Sequence, residues 1–193
     1  TGRRQEFGDT HDLEMLAAHH GIPVLSSLDE LPECDIIYSV QYHVILRKEH
    51  IAKARLLAVN LHMAPLPEYR GSNQFSFAIL DQRKEFGATI HAMDTGIDNG
   101  DILFQQRFPI PHNCWVNDLY QLTYNASIKL FRESLPDIVN GKYTPVKQES
   151  LVQAFGTSIH YRREMDEIKI IDLSWDLEKT ERHIRATSVP GFE

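Results

Sequence analysis

Short apolar runs alternate with stretches of helical periodicity along the first third of the chain. Residues 10–20 carry apolar side chains at helical spacing and end at Gly21, which predicts a helix with a glycine stop. Residues 35–40 and 56–60 are short apolar runs of the kind that form buried strands, and residues 47–54 between them predict a short amphipathic helix. A strand–helix–strand order of this kind is typical of a parallel sheet.

The middle of the chain continues the alternation after a proline-containing loop at residues 65–71. Residues 73–80 predict a buried helix. Residues 88–93 and 102–108 predict two strands, separated by a polar, glycine-containing turn at residues 94–101.

The last third predicts one long helix and a smaller set of elements. Residues 116–135 have apolar positions on one face, and Pro136 is expected to end that helix. The remaining expectations are a connecting segment at 142–158, a strand at 168–172, and a helix at 175–186 capped by Ser174. The pattern as a whole predicts an α/β fold with a mostly parallel sheet, a sheet domain at residues 1–150 and a C-terminal piece at residues 151–193.

Composition narrows the possible partners. Lysine and arginine number 20 and aspartate and glutamate 27, which gives a formal net charge of −7. This charge argues against nonspecific binding to nucleic acid or anionic membranes, but it allows a small anionic substrate in a local basic pocket. The two cysteines form no disulfide framework, and no apolar run is long enough for a membrane span, so we expect a cytoplasmic protein.

The strongest chemical signal is Asn60 with His62 at the end of the 56–60 run, followed by Asp98 in the 94–101 turn. Side chains two apart on a strand share a face, so Asn60 and His62 project together from a strand end, where α/β sheets place their ligands. These groups suit attack of an amine on a carbonyl. The amide can donate to the developing oxyanion, an effect of about 10²–10³ in rate, and the imidazole can stabilise charge or move a proton.

Other interpretations of the same residues stay open. Asparagine at a strand end is a common turn former, a single histidine is often structural, and the 94–101 segment can be an acidic surface turn. A calcium loop is excluded, because Gly96 stands where a third-position ligand belongs and Gln105 stands where a glutamate belongs. The remaining histidines have no ligand spacing, so we expect no metal. We find no phosphate-binding loop, dinucleotide fingerprint or serine nucleophile elbow.

Residues 59–71, Val-Asn-Leu-His-Met-Ala-Pro-Leu-Pro-Glu-Tyr-Arg-Gly, resemble the signature of the folate-dependent formyltransferases. Residues 94–101 resemble the second signature of that family, and residues 88–91 resemble the strand before it. The resemblance covers most of residues 30–140. It implies a Rossmann-like formyltransferase domain in which Asn60, His62 and Asp98 form the catalytic triad. Met-Ala-Pro at 63–65 replaces the usual Pro-Ser-Leu, which bears on the acceptor rather than on the chemistry.

The resemblance also implies a co-substrate, N10-formyltetrahydrofolate, and a pocket for it. Residues 39–46 resemble the segment whose backbone lines the pteridine pocket in the family. The expected folate-contacting residues are His43, Val44, Ile45, Leu46, Asp94, Thr95, Gly96 and Ile97.

Residues 65–77 look most like the sugar N-formyltransferases, which formylate an amino-dideoxysugar carried on a nucleotide, typically dTDP. That resemblance implies a role in O-antigen, lipopolysaccharide or other surface-glycan synthesis. The expected acceptor contacts are Tyr69, Arg70, Asn73 and Gln74. Three alternatives remain: Met-tRNA as acceptor, which the negative charge disfavours; glycinamide ribonucleotide as acceptor; and a non-catalytic folate-binding remnant. We expect no nucleic-acid or membrane partner, and a homodimer is a further expectation.

The resemblance gives an interpretation of the two ends. Such enzymes begin with a strand, a turn and a helix, and we expect the first strand and helix to be missing here. Residues 184–192 fit the start of the family's C-terminal subdomain. The chain is therefore expected to be a segment of a longer protein, with processed or disordered ends as the alternative.

Overall fold

The computed structural model describes residues 13–188, and the chain forms two compact units that divide between Glu33 and Cys34. The first unit contains helix α1 (Leu13–His19) and a short 3-10 turn (Leu28–Glu30). Gly21 has φ 64° and the Ile22 N–H bonds back to the Ala17 carbonyl, which closes α1 as predicted. Residues 10–12 of the predicted helix lie outside the described residues.

The second unit contains the remaining helices and strands. In chain order they are β1 (Cys34–Val40), α2 (Lys48–Ile51), β2 (Ala54–His62), β3 (Arg70–Gly71), α3 (Gln74–Leu80), β4 (Glu85–Ala92), β5 (Ile102–Pro109), α4 (Val116–Val139), α5 (Glu149–Phe155), β6 (Ile159–His160), a 3-10 turn (Arg162–Glu164), α6 (Met165–Ile168) and α7 (Leu177–Thr187). No helix within the described part of the chain is long and apolar enough to cross a membrane.

The main sheet has the strand order β1-β2-β4-β5. The α/β class and four of the five predicted strands are confirmed. The predicted parallel arrangement is found for β1 and β2, which α2 connects, whereas β2/β4 and β4/β5 are antiparallel pairs. The β4–β5 link is a short reversing turn, and a parallel pair needs a longer crossover, so these described strands make a mixed sheet.

Alternation along β2 and β4 separates a core face from a polar face. On the core face, Val59 and Leu61 of β2 meet Ala88 and Ile90 of β4, and α4 covers them with Leu130 and Ile138. A second cluster of buried residues surrounds Tyr69 and Phe86, between α3, α4 and α7. The polar face of the same two strands is left for the loops that follow β2.

Three sequence predictions in the last third need correction. Helix α4 continues past Pro136 to Val139; the proline gives up one backbone hydrogen bond, but Ile138 in the final turn is 2% exposed and packs into the core. Residues 142–158 contain α5 rather than connecting structure alone. The strand predicted at 168–172 is the end of α6 followed by turns. No strand among residues 13–188 covers this run, and Ile170 is 66% exposed.

The helix predicted at 175–186 is confirmed as α7, but its cap differs. Asp176 caps it by accepting the Lys179 N–H at 2.7 Å, whereas Ser174 lies in a turn in which its N–H donates to Asp172. The division of the chain at 150/151 stays a prediction.

Candidate active site

The polar face of β2 and β4 carries Asn60 and His62. The antiparallel register pairs Asn60 with His91 and His62 with Thr89, so four polar side chains meet at adjacent positions. His62, Thr89 and His91 are buried, which means that their hydrogen-bonding groups must be satisfied by protein partners.

Asp98 lies against these side chains, as the sequence predicts. Its Oδ2 is 3.6 Å from His62 Nδ1, and its Oδ1 is 3.5 Å from Asn60 Nδ2 and 3.4 Å from His91 Nε2. The Gly71 N–H donates to Oδ2 at 2.9 Å. The structure therefore brings the three predicted catalytic residues together and adds His91 and the Gly71 amide to them.

Two backbone carbonyls fix the tautomers of the histidines. His62 Nε2 is 2.7 Å from the Tyr69 carbonyl oxygen, and His91 Nδ1 is 2.8 Å from the Ala92 carbonyl oxygen. A carbonyl only accepts, so each of these nitrogens carries the ring proton. The neutral rings therefore present lone pairs, on His62 Nδ1 and His91 Nε2, toward Asp98 and the Asn60 amide, which lies 3.3 Å from His91.

The electrostatics of the cluster couple the protonation of Asp98 to that of the neighbouring histidines. Burial lowers the pKa of His62 below its ordinary value, and the attraction of the Asp98 carboxylate offsets this only in part. Burial by itself raises the pKa of Asp98, but a hydrogen bond from His91 and the charge of His62, both of which require those rings to be protonated, bring that pKa well below its usual range together with the Gly71 N–H. The cluster therefore holds a carboxylate next to a neutral imidazole that can take up a proton.

The loop after β2 is held by buried polar contacts. Thr89 Oγ donates to the Ala64 carbonyl at 2.8 Å and accepts the Leu66 N–H at 3.1 Å, and Gln105 donates to the Leu66 carbonyl and to Thr89, both at 2.9 Å. Through these bonds the loop places the Tyr69 carbonyl and the Gly71 N–H beside the site.

A buried ion pair anchors the same loop to β5. Both terminal nitrogens of Arg107 bond to Glu68, one of them at 3.0 Å, and the Glu68 side chain is 6% exposed. Removal of one partner would leave a buried charge without compensation. The loop is therefore fixed at its middle as well as at its ends.

Tyr69, one of the predicted acceptor contacts, has a buried side chain, and as an acceptor contact it stays a prediction. Its ring is 1% exposed and packs against Phe86, with ring centroids 5.8 Å apart. Its hydroxyl donates to Asp81 Oδ2 at 2.7 Å and accepts from Arg83 Nε at 2.9 Å. An aromatic ring with this much apolar surface is more stable in the core, so the residue serves the site through its carbonyl rather than its side chain.

Arg70, Asn73 and Gln74 lie at the partly exposed rim beside the site. Arg70 Nε donates to the Ile97 carbonyl at 2.8 Å, which ties the loop to the turn that carries Asp98. Asn73 has φ 61° and donates to the Tyr161 carbonyl at 2.8 Å, while Gln74 begins α3. As acceptor contacts these three residues stay predictions.

The two segments predicted to line the folate pocket lie at the surface. The 43–46 segment follows β1 directly, and within it Val44 and Ile45 are 42% and 82% exposed. In the 94–97 segment the Gly96 N–H bonds to Asp94 Oδ1 at 2.7 Å, and Ile97 is 40% exposed. Exposed apolar side chains beside accessible main chain suit a flat ring system.

Metal ligands are a separate matter. Within residues 13–188, no three histidine, cysteine, aspartate or glutamate side chains are grouped as they would be around a metal ion. The expectation that the reaction needs no metal stays a prediction.

Sequence reasoning missed two contributors to the site. His91 was not singled out among the histidines without ligand spacing, although its position two residues after Thr89 on the polar face of β4 was the signal available. Gln148, which contacts the backbone of the Asp98 turn, is 50 residues away in sequence, and no local pattern marks it.

Comparison with known proteins agrees with this geometry. The profile of the formyl transferase family matches residues 23–135. A methionyl-tRNA formyltransferase of a Geobacillus strain is 32% identical over 177 residues, which is 86% of this chain and 55% of the relative, so the chain spans about half the length of the curated relatives it matches.

Two solved structures are similar over nearly the whole chain. WlaRD, a sugar 3N-formyl transferase solved with dTDP and 5-N-formyl-THF, is 27% identical with a TM-score of 0.78 over 91% of this chain and 62% of that one. The N-formyltransferase from Helicobacter canadensis, solved with folinic acid and dTDP-3-aminofucose, is 28% identical with a TM-score of 0.79 over 95% and 68%. Since the family profile covers more than half of the sequence, the chain belongs to the formyl transferase family.

Proposed function

We propose that this protein transfers a formyl group from N10-formyltetrahydrofolate to the amine of a nucleotide-linked amino-dideoxysugar. The observation that carries the proposal is the meeting of Asn60, His62 and Asp98 on the polar face of β2, within 3.6 Å of one another's polar atoms through Asp98. Membership of the formyl transferase family supports the reaction class.

The geometry suggests a distinct role for each of the three side chains. Asn60 Nδ2 lies 3.3 Å from His91 Nε2, and its contact with Asp98 is long, at 3.5 Å. The Asn60 N–H that makes only this long contact with Asp98 is therefore the one we assign to the formyl oxygen, where negative charge develops as the amine attacks.

His62 is the base in this proposal. With its Nε2 proton held by the Tyr69 carbonyl, the neutral ring has its lone pair on Nδ1, and that nitrogen takes the proton which the attacking amine must lose. The imidazolium so formed lies 3.6 Å from the Asp98 carboxylate, which stabilises it. Asp98 thus works chiefly by favouring the protonated ring and by fixing its position.

When bound, the folate would supply the activated formyl carbon. As the bond from that carbon to N10 breaks, the proton that His62 accepted from the amine can pass to the leaving N10, which restores the neutral imidazole. The segments that would hold it are residues 43–46, which follow β1, and residues 94–97, which precede Asp98. Both segments expose apolar side chains next to main chain. The hydrogen bond between Arg70 and the Ile97 carbonyl keeps the second segment close to the 64–71 loop.

The choice of a sugar acceptor rests on three observations. The solved relatives at 27% and 28% identity are sugar N-formyltransferases or contain dTDP-3-aminofucose. The net charge of −7 disfavours an extended RNA surface. The buried contacts of the 64–71 loop make it stiff, which favours a preorganised small-molecule site. Synthesis of surface glycans in the cytoplasm is the biological setting we propose.

A second acceptor, Met-tRNA, is favoured by a specific observation. The matched Geobacillus relative, at 32% identity, is a methionyl-tRNA formyltransferase. The chemistry at Asn60, His62 and Asp98 would be the same for either amine, so only the acceptor distinguishes the two.

An amine competition tests both acceptors. The full-length protein is given N10-formyltetrahydrofolate with dTDP-amino sugars and charged Met-tRNA together, and each formylated product is quantified. Formylation of the sugar alone is expected. Preferential formylation of Met-tRNA would overturn the sugar proposal, and folate binding without turnover of any amine would indicate a non-catalytic protein.

A further inference from the structure

Gln148, immediately before α5, contacts the turn that carries Asp98. The residue lies beyond the part of the chain that the family profile matches and is 6% exposed. Its Nε2 donates to the Asp98 carbonyl at 2.9 Å and to the Gly100 carbonyl at 2.8 Å. The buried Gln148 amide thus donates both of its N–H groups to backbone oxygens of a single turn.

The turn held in this way has an unfavourable backbone. Asp98 has φ 45°, a left-handed conformation that costs a residue with a side chain free energy. Gly100 is packed so closely that a Cβ there would lie 1.9 Å from the Ala92 carbonyl oxygen. Such a conformation persists only where the surroundings fix it, and Gln148 supplies two of the bonds that do so.

Backbone pairing next to Gln148 reinforces this contact. The N–H groups of Ile102 and Val146 each donate to the other's carbonyl at 2.8 Å, which joins the start of β5 to the chain two residues before Gln148. The segment therefore reaches the 98–102 turn at both of its ends.

We propose that Gln148 is a positioning residue that holds Asp98 at its contact with His62, an inference that rests on the proposed formyl transfer. Loss of the amide leaves two buried carbonyls without donors and lets the turn relax toward an ordinary backbone. The Asp98 carboxylate then moves away from His62 Nδ1, and the protonated form of His62 loses the negative charge that stabilises it. Gln148 itself touches no reacting atom.

The same part of the chain holds the other half of the site, which is consistent with this role. Ser158 Oγ donates to the Glu68 carbonyl at 2.6 Å, the Arg70 N–H donates to the Ser158 carbonyl at 3.0 Å, and the Ser72 N–H donates to the His160 carbonyl at 2.8 Å. Residues 148–160 thus hold the Asp98 turn through the Gln148 side chain, and they hold the 64–71 loop through the pairing of β3 with β6.

The test is Gln148→Met in the full-length enzyme, since methionine has a similar volume and no donor. We expect kcat to fall about 10–100-fold, as for a displacement of around 1 Å in a catalytic group, with a smaller change in the KM for the amine. Thr123→Val is the matched control, because Thr123 is fully buried and its hydroxyl bonds only to the Leu119 carbonyl within α4. That variant should lose stability and keep its kcat.

A double-mutant cycle shows whether Gln148 acts through Asp98. In an Asp98→Asn background, Gln148→Met should lower kcat by less than threefold, because the group it positions is already disabled. Independent, multiplying effects of the two substitutions, or a folded Gln148→Met enzyme with wild-type kcat, would overturn the proposal. If the methionine variant does not fold, Gln148→Asn replaces it; the shorter amide cannot reach both carbonyls and should give the same pattern.

NMR titration of His62 supplies a readout without turnover. The titratable groups facing His62 are Asp98 from the turn and His91 from β4. Because Asp98 raises the pKa of His62, withdrawal of its carboxylate in Gln148→Met should lower that pKa further. An unchanged His62 titration would refute the positioning role. Absence of turnover in the wild type would refute the proposed formyl transfer instead, so the two failures are distinguishable.

Discussion

The two faces of β2 and β4 use the same strands for opposite purposes. On the core face, Val59, Leu61 and Ile90 pack against α4 with almost no solvent exposure. On the polar face, one residue out of step, Asn60, His62 and His91 surround the Asp98 carboxylate. The core face needs only apolar volume, whereas the polar face needs partners delivered from distant loops, which makes it more sensitive to small displacements.

The largest difference between the faces should appear in catalysis. We expect His62→Ala to lower kcat by about 10²–10⁴-fold, the usual contribution of a general base, because the proton acceptor is removed. His50→Ala is the matched control, since His50 is also buried but accepts only the Arg47 N–H, outside the site. Steady-state kinetics on the full-length protein measure the effect, and a wild-type kcat in His62→Ala would contradict the assignment.

A substitution on the core face should instead affect stability. Ile90 is fully buried, and Ile90→Ala should reduce the free energy of unfolding by roughly 2–5 kcal/mol through lost burial and a cavity. Denaturant unfolding gives this value, while kcat per folded molecule should change far less than in His62→Ala. A larger kcat loss than stability loss would show that the two faces are not separable.

A smaller effect is expected at Tyr69, whose carbonyl bonds to His62 while its ring packs against Phe86. Tyr69→Phe removes the hydroxyl that bonds to Asp81 and Arg83, which should cost about 1–3 kcal/mol of stability. The KM for the acceptor should not change, because the hydroxyl is buried and the carbonyl that binds His62 is retained. A severalfold rise in acceptor KM with unchanged stability would show that the Tyr69 hydroxyl contacts the acceptor.

The smallest expected effect is a pH dependence of stability. The folded state lowers the pKa of His62, so the unfolded chain takes up a proton that the folded protein refuses as pH falls below about 6.5. Stability therefore decreases on acidification through this window. Asp98, whose folded pKa is also lowered, contributes stability above about pH 4 that is lost only at lower pH.

Thermal melts between pH 7.5 and 5.5 measure the histidine contribution. The wild type should lose a few degrees over this range, and His62→Asn should lose less. An equal loss in both proteins would assign the dependence to other groups.

The sequence predicted those features whose residues lie close together along the chain. The apolar runs of β1 and β2 and the periodicity of α3, α4 and α7 are local, and they predicted these elements. Asn60 and His62 were accessible for the same reason, since one strand places both. The run at 168–172 looked like a strand because its apolar residues are consecutive, but the described part of the chain offers no neighbouring strand to pair with it.

The site was harder to predict where its parts come from far along the chain. The contact of Gln148 with the Asp98 turn depends on a fold that no short pattern records. The burial of Tyr69 likewise depends on Asp81 and Arg83, which are local in sequence but reach its hydroxyl only after α3 has formed. Resemblance to a family pointed to the residues that meet at Asp98 and gave no information about those that hold the turn.

The carbonyl of Tyr69, which accepts the hydrogen bond from His62 Nε2–H, has a consequence for how this loop can vary. Every amino acid supplies the same main-chain oxygen, so no replacement at position 69 deletes the group that sets the histidine's tautomer. The neighbouring side chains can therefore change, and the acceptor preference with them, while the tautomer of His62 stays the same. Only a change in the path of the backbone would disturb it.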